Sequence, residues 1–83
     1  MYLSLGADMA VRDRSILGIF DLDNSTCSKH TRQFLKNAEE NGQVVAAGED
    51  LPKSFVLTSE FGMTRVYLSQ FNPATLEKRL DGL

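Results

Sequence analysis

The sequence predicts an α+β domain: a small, mostly antiparallel β-sheet of about five strands, with one main helix and a short C-terminal helix. Three observations predict it. Short runs rich in apolar and β-branched residues are punctuated by Gly, Asp, Asn and Pro, the pattern of strands and turns. One stretch, from about Ser28 to Asn41, repeats its apolar positions at spacings of three and four. Near the C-terminus, Asn72-Pro73 opens a shorter stretch with the same spacing.

Tyr2 to Leu5 and Met9 to Arg12 read as two strands joined through Gly6-Ala7-Asp8, where Gly tolerates positive φ and Asp can bond its own backbone. Ile16-Leu17-Gly18-Ile19-Phe20 is apolar on both alternating faces, which suits a buried central strand better than a solvated edge. Gly18 marks a close backbone approach or a bulge. Asp21 to Thr26 is polar and turn-rich. It leads into the main helix, with Ser28 as N-cap, Gly42 as the stop, and Thr31, Phe34, Leu35 and Ala38 on the buried stripe. Glu39 and Glu40 fall at the negative end of that helix's dipole, an unfavourable placement that the sequence does not explain. Gln43 to Ala47 reads as a strand, and Gly48 to Lys53 as a connection that Pro52 keeps out of central sheet. Ser54 to Ser59 and Thr64 to Ser69 form a hairpin around Glu60-Phe61-Gly62-Met63, with Phe61 at an exposed tip. Asn72 caps the last helix, Pro73 takes its first position, and Leu76 and Leu80 share a face.

The chain has 83 residues, no internal repeat and no linker, and reads as a single domain over residues 1–83. A domain this small buries only roughly 60–65% of its unfolded surface, so help from a partner subunit is expected. No apolar run approaches the roughly 20 residues of a spanning helix. Met1 to Gly6 lacks the basic and apolar regions of a signal peptide, and the lone Cys27 cannot form an internal disulfide. A cytoplasmic protein with no membrane partner is therefore expected. Nine Lys and Arg against eleven Asp and Glu leave a net charge of -2, so any nucleic-acid binding needs a local patch or one multiplied by oligomerisation.

No constellation for catalysis emerges. Cys27 and His30 lie three residues apart, but a hydrolase also needs an oxyanion pocket and an orienting group, and two ligands fall short of a zinc site. Asp21 and Asp23 resemble the start of a calcium loop, yet Ser25 follows and no Gly stands at the sixth position. The six glycines form neither phosphate-cradling pattern. Neither an enzymatic activity, a metal nor a cofactor is expected.

The basic residues offer more. Arg12 and Arg14 are two apart, so an extended chain would send both side chains to one face, as a phosphate grip requires; a charged strand end that discourages edge pairing is the plainer reading. Lys29, Arg32 and Lys36 recur along one helix stripe, a solubilising face in the plainer reading. With Lys53 and Arg65 these cations form one patch or none, because their relative placement is not readable from sequence.

Met1-Tyr2-Leu3, Leu5-Gly6, Ile16 to Asp21 (ILGIFD), Thr31-Arg32-Gln33-Phe34-Leu35, Glu49 to Val56 (EDLPKSFV), Val66 to Ser69 and Thr75-Leu76 closely resemble the extracellular matrix regulatory protein B family of Firmicutes. The resemblance spans Met1 to about Leu80, and EDLPKSFV is its most specific piece. It implies participation in switching on biofilm-matrix genes. It also implies kinship with the A-type regulators, ring-forming DNA-binding proteins that lack a standard DNA-binding motif and present arginines repeatedly around the ring. A-type members carry an Arg-Arg pair where this chain has Leu51-Pro52, followed by Lys53. The resemblance carries DNA contact over to Arg14 first and Lys53 second.

Two readings follow. The first is a homo-oligomeric DNA-binding regulator in which Arg12, Arg14 and Lys53, with Arg32 and Arg65, contact phosphates and read few bases. The second is an oligomeric interaction module that contacts another regulatory protein through exposed apolar residues such as Phe61, Met63 and Phe71. The missing Arg-Arg pair and a pI of about 5.2 motivate it.

Overall fold

The computed structural model describes residues 1–22, 29–46 and 51–83. Strands β1 (Tyr2–Gly6) and β2 (Met9–Arg12) pair antiparallel into a hairpin, and a 3-10 turn at Asp13–Ser15 leads into β3 (Ile16–Asp21). Helix α1 (Lys29–Glu40) and the short strand β4 (Val44–Ala46) precede the β5 (Ser54–Glu60) and β6 (Met63–Ser69) hairpin, and α2 (Pro73–Asp81) ends the fold. The α+β class is as expected. Among the described residues six strands form two sheets, the β1-β2 hairpin and a four-stranded sheet in the order β3-β5-β6-β4. Pairing is antiparallel throughout except between β4 and β6, which run parallel. The expected N-cap Ser28, the strand end Ala47 and the turn at Gly48 to Asp50 lie outside the described residues.

The four-stranded sheet has apolar side chains on both faces because both faces are covered. On one face Val56, Ile19 and Tyr67 meet Leu3, Leu5 and Val11 of the β1-β2 hairpin and Leu76 of α2. On the other, Phe55, Leu57, Val66 and Leu68 pack against Leu35 and Ala38 of α1. Among the described residues the buried hydroxyls are all bonded: Ser54 Oγ donates to the Phe71 carbonyl at 2.7 Å, and Ser69 Oγ donates to the Leu5 carbonyl at 2.8 Å. Asn72 caps α2 as expected, its Oδ1 accepting from the Thr75 amide at 2.8 Å, with Pro73 at the first turn.

Two expectations need correction. β3 is an edge strand, where its apolar alternation suggested a central one. Alternation reports how many faces of a sheet are covered; it does not report how many strands flank it. β5 and β6 take the centre because their two-residue turn forces them side by side. Phe34, expected on the buried stripe, is 41% exposed, because it stands at the rim of α1's contact with the sheet and beyond the Ala38 line. Of the two roles anticipated for Gly18, the structure shows the bulge, and what crowds the position is the Phe20 side chain rather than backbone. The β3 register shifts between Ile16 and Gly18, leaving Leu17 exposed, and a Cβ on Gly18 would lie 2.7 Å from the Phe20 ring. That ring stacks on Phe55 with centroids 4.9 Å apart.

Candidate nucleic-acid interface

Arg12 closes β2 opposite Tyr2 in the hairpin register, and the chain turns immediately afterwards. The turn is held locally: Ser15 Oγ donates to the Arg12 carbonyl at 2.8 Å, and the Arg14 amide donates to Asp13 Oδ1 at 2.8 Å. The N-terminal ammonium lies 3.7 Å from the same Asp13 carboxylate. An extended chain is therefore not what brings Arg12 and Arg14 together. The 3-10 turn does it, and both line one cleft with Met1, Tyr2 and Asp13.

The two arginines differ in how free they are. Arg12 Nε stands 3.4 Å from Glu60 Oε1, at the far end of β5. Hydrogen bonding to Tyr2, then the charge of Tyr2 and of Glu60, raise the Arg12 pKa above its ordinary value, so it stays a cation at every physiological pH. Arg14 is exposed and, among the described residues, has no carboxylate within ion-pair distance.

Arg65 belongs to the same end of the molecule. It is the register partner of Thr58, and the odd positions of β6 share a face with the even positions of β5. Arg65 consequently lines a pocket with Thr58, Glu60, Phe61, Met63 and Tyr67, on the sheet face that also carries the β1-β2 hairpin. Arg12 and Arg65 thus both neighbour Glu60 at the β5-β6 end, and Arg14 and Asp13 share a cleft with Arg12. Lys53 and Arg32 are not brought to this cluster. Lys53 precedes β5 and its backbone bridges β3 and β6, its amide donating to Ser69 and its carbonyl accepting from Leu22, so it stands roughly 20 Å from Glu60 along the strand. Arg32 is exposed on α1, across the sheet.

Glu60 is the residue that sequence reasoning missed. It reads as a polar turn residue, and its meeting with Arg12 depends on how the hairpin docks on the sheet. Cys27 and Asp23 lie outside the described residues. Among the described ones, no three His, Cys, Asp or Glu side chains converge as a metal site requires, and no helix is long and apolar enough to cross a membrane.

Residues 2–80 match the family model described as extracellular matrix regulatory protein A-like. The chain is 37% identical over 79 residues to extracellular matrix regulatory protein B of Bacillus subtilis (strain 168), an alignment that covers 95% of this chain and 89% of that protein.

Proposed function

The chain belongs to the extracellular matrix regulatory protein A-like family, and we propose that it is a non-enzymatic regulator of biofilm-matrix gene expression. In this reading it acts in the cytoplasm as a ring-like homo-oligomer that grips the DNA backbone through basic residues repeated by every subunit. The observation that carries the reading is the exposed Arg14, without an ion-pair partner among the described residues, sharing a cleft with Arg12, whose partner Glu60 lines a pocket with Arg65. A net charge of -2 per subunit is compatible with it, because phosphate contact depends on local cations, and linked copies of a weak site add avidity without new contacts.

The test is duplex-DNA binding by fluorescence anisotropy, repeated from low to moderate salt. Saturable binding whose log affinity falls steeply with log salt, and that is lost in Arg14→Glu with the fold intact, is the expected outcome. A variant that binds as well as wild type would remove Arg14 from the interface.

One observation favours a second reading. Leu51 is 89% exposed, an apolar side chain at the place where A-type relatives carry charge. A protein-interaction module would use such a residue to contact another regulator. Absence of DNA binding at low salt by folded, oligomeric protein would select this alternative.

A further inference from the structure

The β1-β2 hairpin is a sheet of its own: among the described residues its strands pair only with each other. Its inward face is Leu3, Leu5 and Val11, all buried against the core. Directly opposed residues of an antiparallel pair share a face, and successive residues alternate. Leu3 and Val11 therefore point inward together, and the flanking pairs, Tyr2 with Arg12 and Ser4 with Ala10, point outward. All four outward residues are exposed.

The outward face has a definite chemistry. A ribbon left to solvent is commonly guarded by charged side chains. Here the middle pair is Ser4 and Ala10, two of the smallest residues, and none of the four is acidic. The hairpin's own carboxylate, Asp8, sits in the turn, and the cations Arg12 and Arg14 stand at the other end. The centre of the face offers a protein partner no aromatic or aliphatic anchor.

A nucleic acid is better matched. Two strands about 4.8 Å apart fit a major groove about 12 Å wide, and small side chains at the centre let the ribbon come close to base edges. A serine hydroxyl can donate to or accept from any of the groove's polar groups, and an alanine methyl suits the thymine methyl. Tyr2 is already hydrogen-bonded to Arg12, which leaves Ser4 and Ala10 as the free pair.

We propose that the β1-β2 hairpin enters the major groove of duplex DNA by this face, Ser4 and Ala10 meeting base edges while Arg12 and Arg14 stay on phosphates. The inference rests on the DNA-binding reading and adds to it the element that tells sequences apart. Tyr2 to Ser4 spans about 7 Å, or about two base-pair rises, so one subunit reads only two or three base pairs.

Dimethyl sulfate footprinting of the full chain on duplex DNA tests the groove, because the reagent methylates guanine N7 in the major groove and adenine N3 in the minor. Wild type is expected to protect guanine N7 and leave adenine N3 reactive. Selection from random duplexes is expected to enrich a preference at roughly two or three adjacent base pairs. Ser4→Ala should weaken that preference roughly two- to tenfold at one position, the worth of one hydrogen bond, with the salt slope unchanged. Ala10→Glu sets a carboxylate on the exposed face and should lower binding roughly tenfold or more. If circular dichroism shows Ala10→Glu misfolded, Ser4→Glu takes its place. Guanine N7 left reactive at saturation, a pool that gains no preference, a preference untouched by Ser4→Ala, or a folded glutamate variant that binds like wild type would each overturn the ribbon while leaving salt-dependent DNA binding intact. Failure to bind any duplex at low salt would overturn both.

Discussion

Arg12 and Glu60 hold each other 3.4 Å apart, so a phosphate that approaches Arg12 must compete with a carboxylate already in place. Glu60 also adds repulsion to any anion near Arg14 and Arg65. Glu60→Gln keeps the shape of the side chain and removes both effects. It is expected to raise DNA affinity by roughly two- to fivefold per contact, the range of an exposed ion pair. Anisotropy at fixed salt reads this directly, and unchanged or weaker binding would separate Glu60 from the interface. Arg12 itself brings no pH dependence: its pKa is raised, so its charge is lost only as pH climbs through that raised value. Ser69 matters at the same scale for stability. Its hydroxyl donates to the Leu5 carbonyl and accepts from the Phe71 amide at 3.1 Å, tying β1 and the entry to α2 onto the end of β6. Ser69→Ala leaves both backbone groups short of a partner and should cost about 1–3 kcal/mol in urea denaturation.

The elements legible in the sequence are those whose causes lie within a few residues. The β5-β6 hairpin follows from a turn flanked by alternating apolar residues, and both strands extend one residue further toward the turn than expected. α2 follows from Asn72 and Pro73, and α1 from the spacing of Leu35 and Ala38. What was not legible depends on partners chosen far along the chain. The parallel pairing of β4 with β6 and the place of β3 at an edge are both of this kind. So is the meeting of Arg12 with Glu60, and the separation of Arg32 and Lys53 from the arginines at the β5-β6 turn. β3 shows the boundary well, since Gly18 was readable as a special position although its neighbours were not. Gly18→Ala puts a Cβ 2.7 Å from the Phe20 ring, which is half-exposed and can swing outward. The expected cost is about 1 kcal/mol, at the low end of overpacking, through loss of the Phe20-Phe55 stack. Chemical denaturation measures it, and a neutral substitution would mean that the stack contributes little to holding β3 at its edge.

At the scale of the whole molecule, the proposed function asks how a chain of net charge -2 would hold a polyanion. One subunit gathers Arg12, Arg14 and Arg65 at the β5-β6 end, with Arg12 partly engaged by Glu60. If each guanidinium neutralised one phosphate, three contacts would give a slope of log affinity against log salt no steeper than about -2.7 on duplex DNA. A ring that lays several subunits on one duplex multiplies that number, so the slope measures how many copies engage together. Assembled wild-type protein is expected to show a slope steeper than about -4. A variant that keeps all three arginines but no longer assembles should fall to about -2.7 or gentler and lose affinity as the extra contacts disappear. A wild-type slope near -2 on protein shown to be assembled would mean that one subunit alone touches DNA, and the ring-multiplied grip would be wrong. Equal slopes for wild type and the monomeric variant would lead to the same conclusion. Lys53, roughly 20 Å from the cluster along β5, then becomes informative: Lys53→Gln lowers the wild-type slope only if the duplex tracks along the sheet, beyond its β5-β6 end.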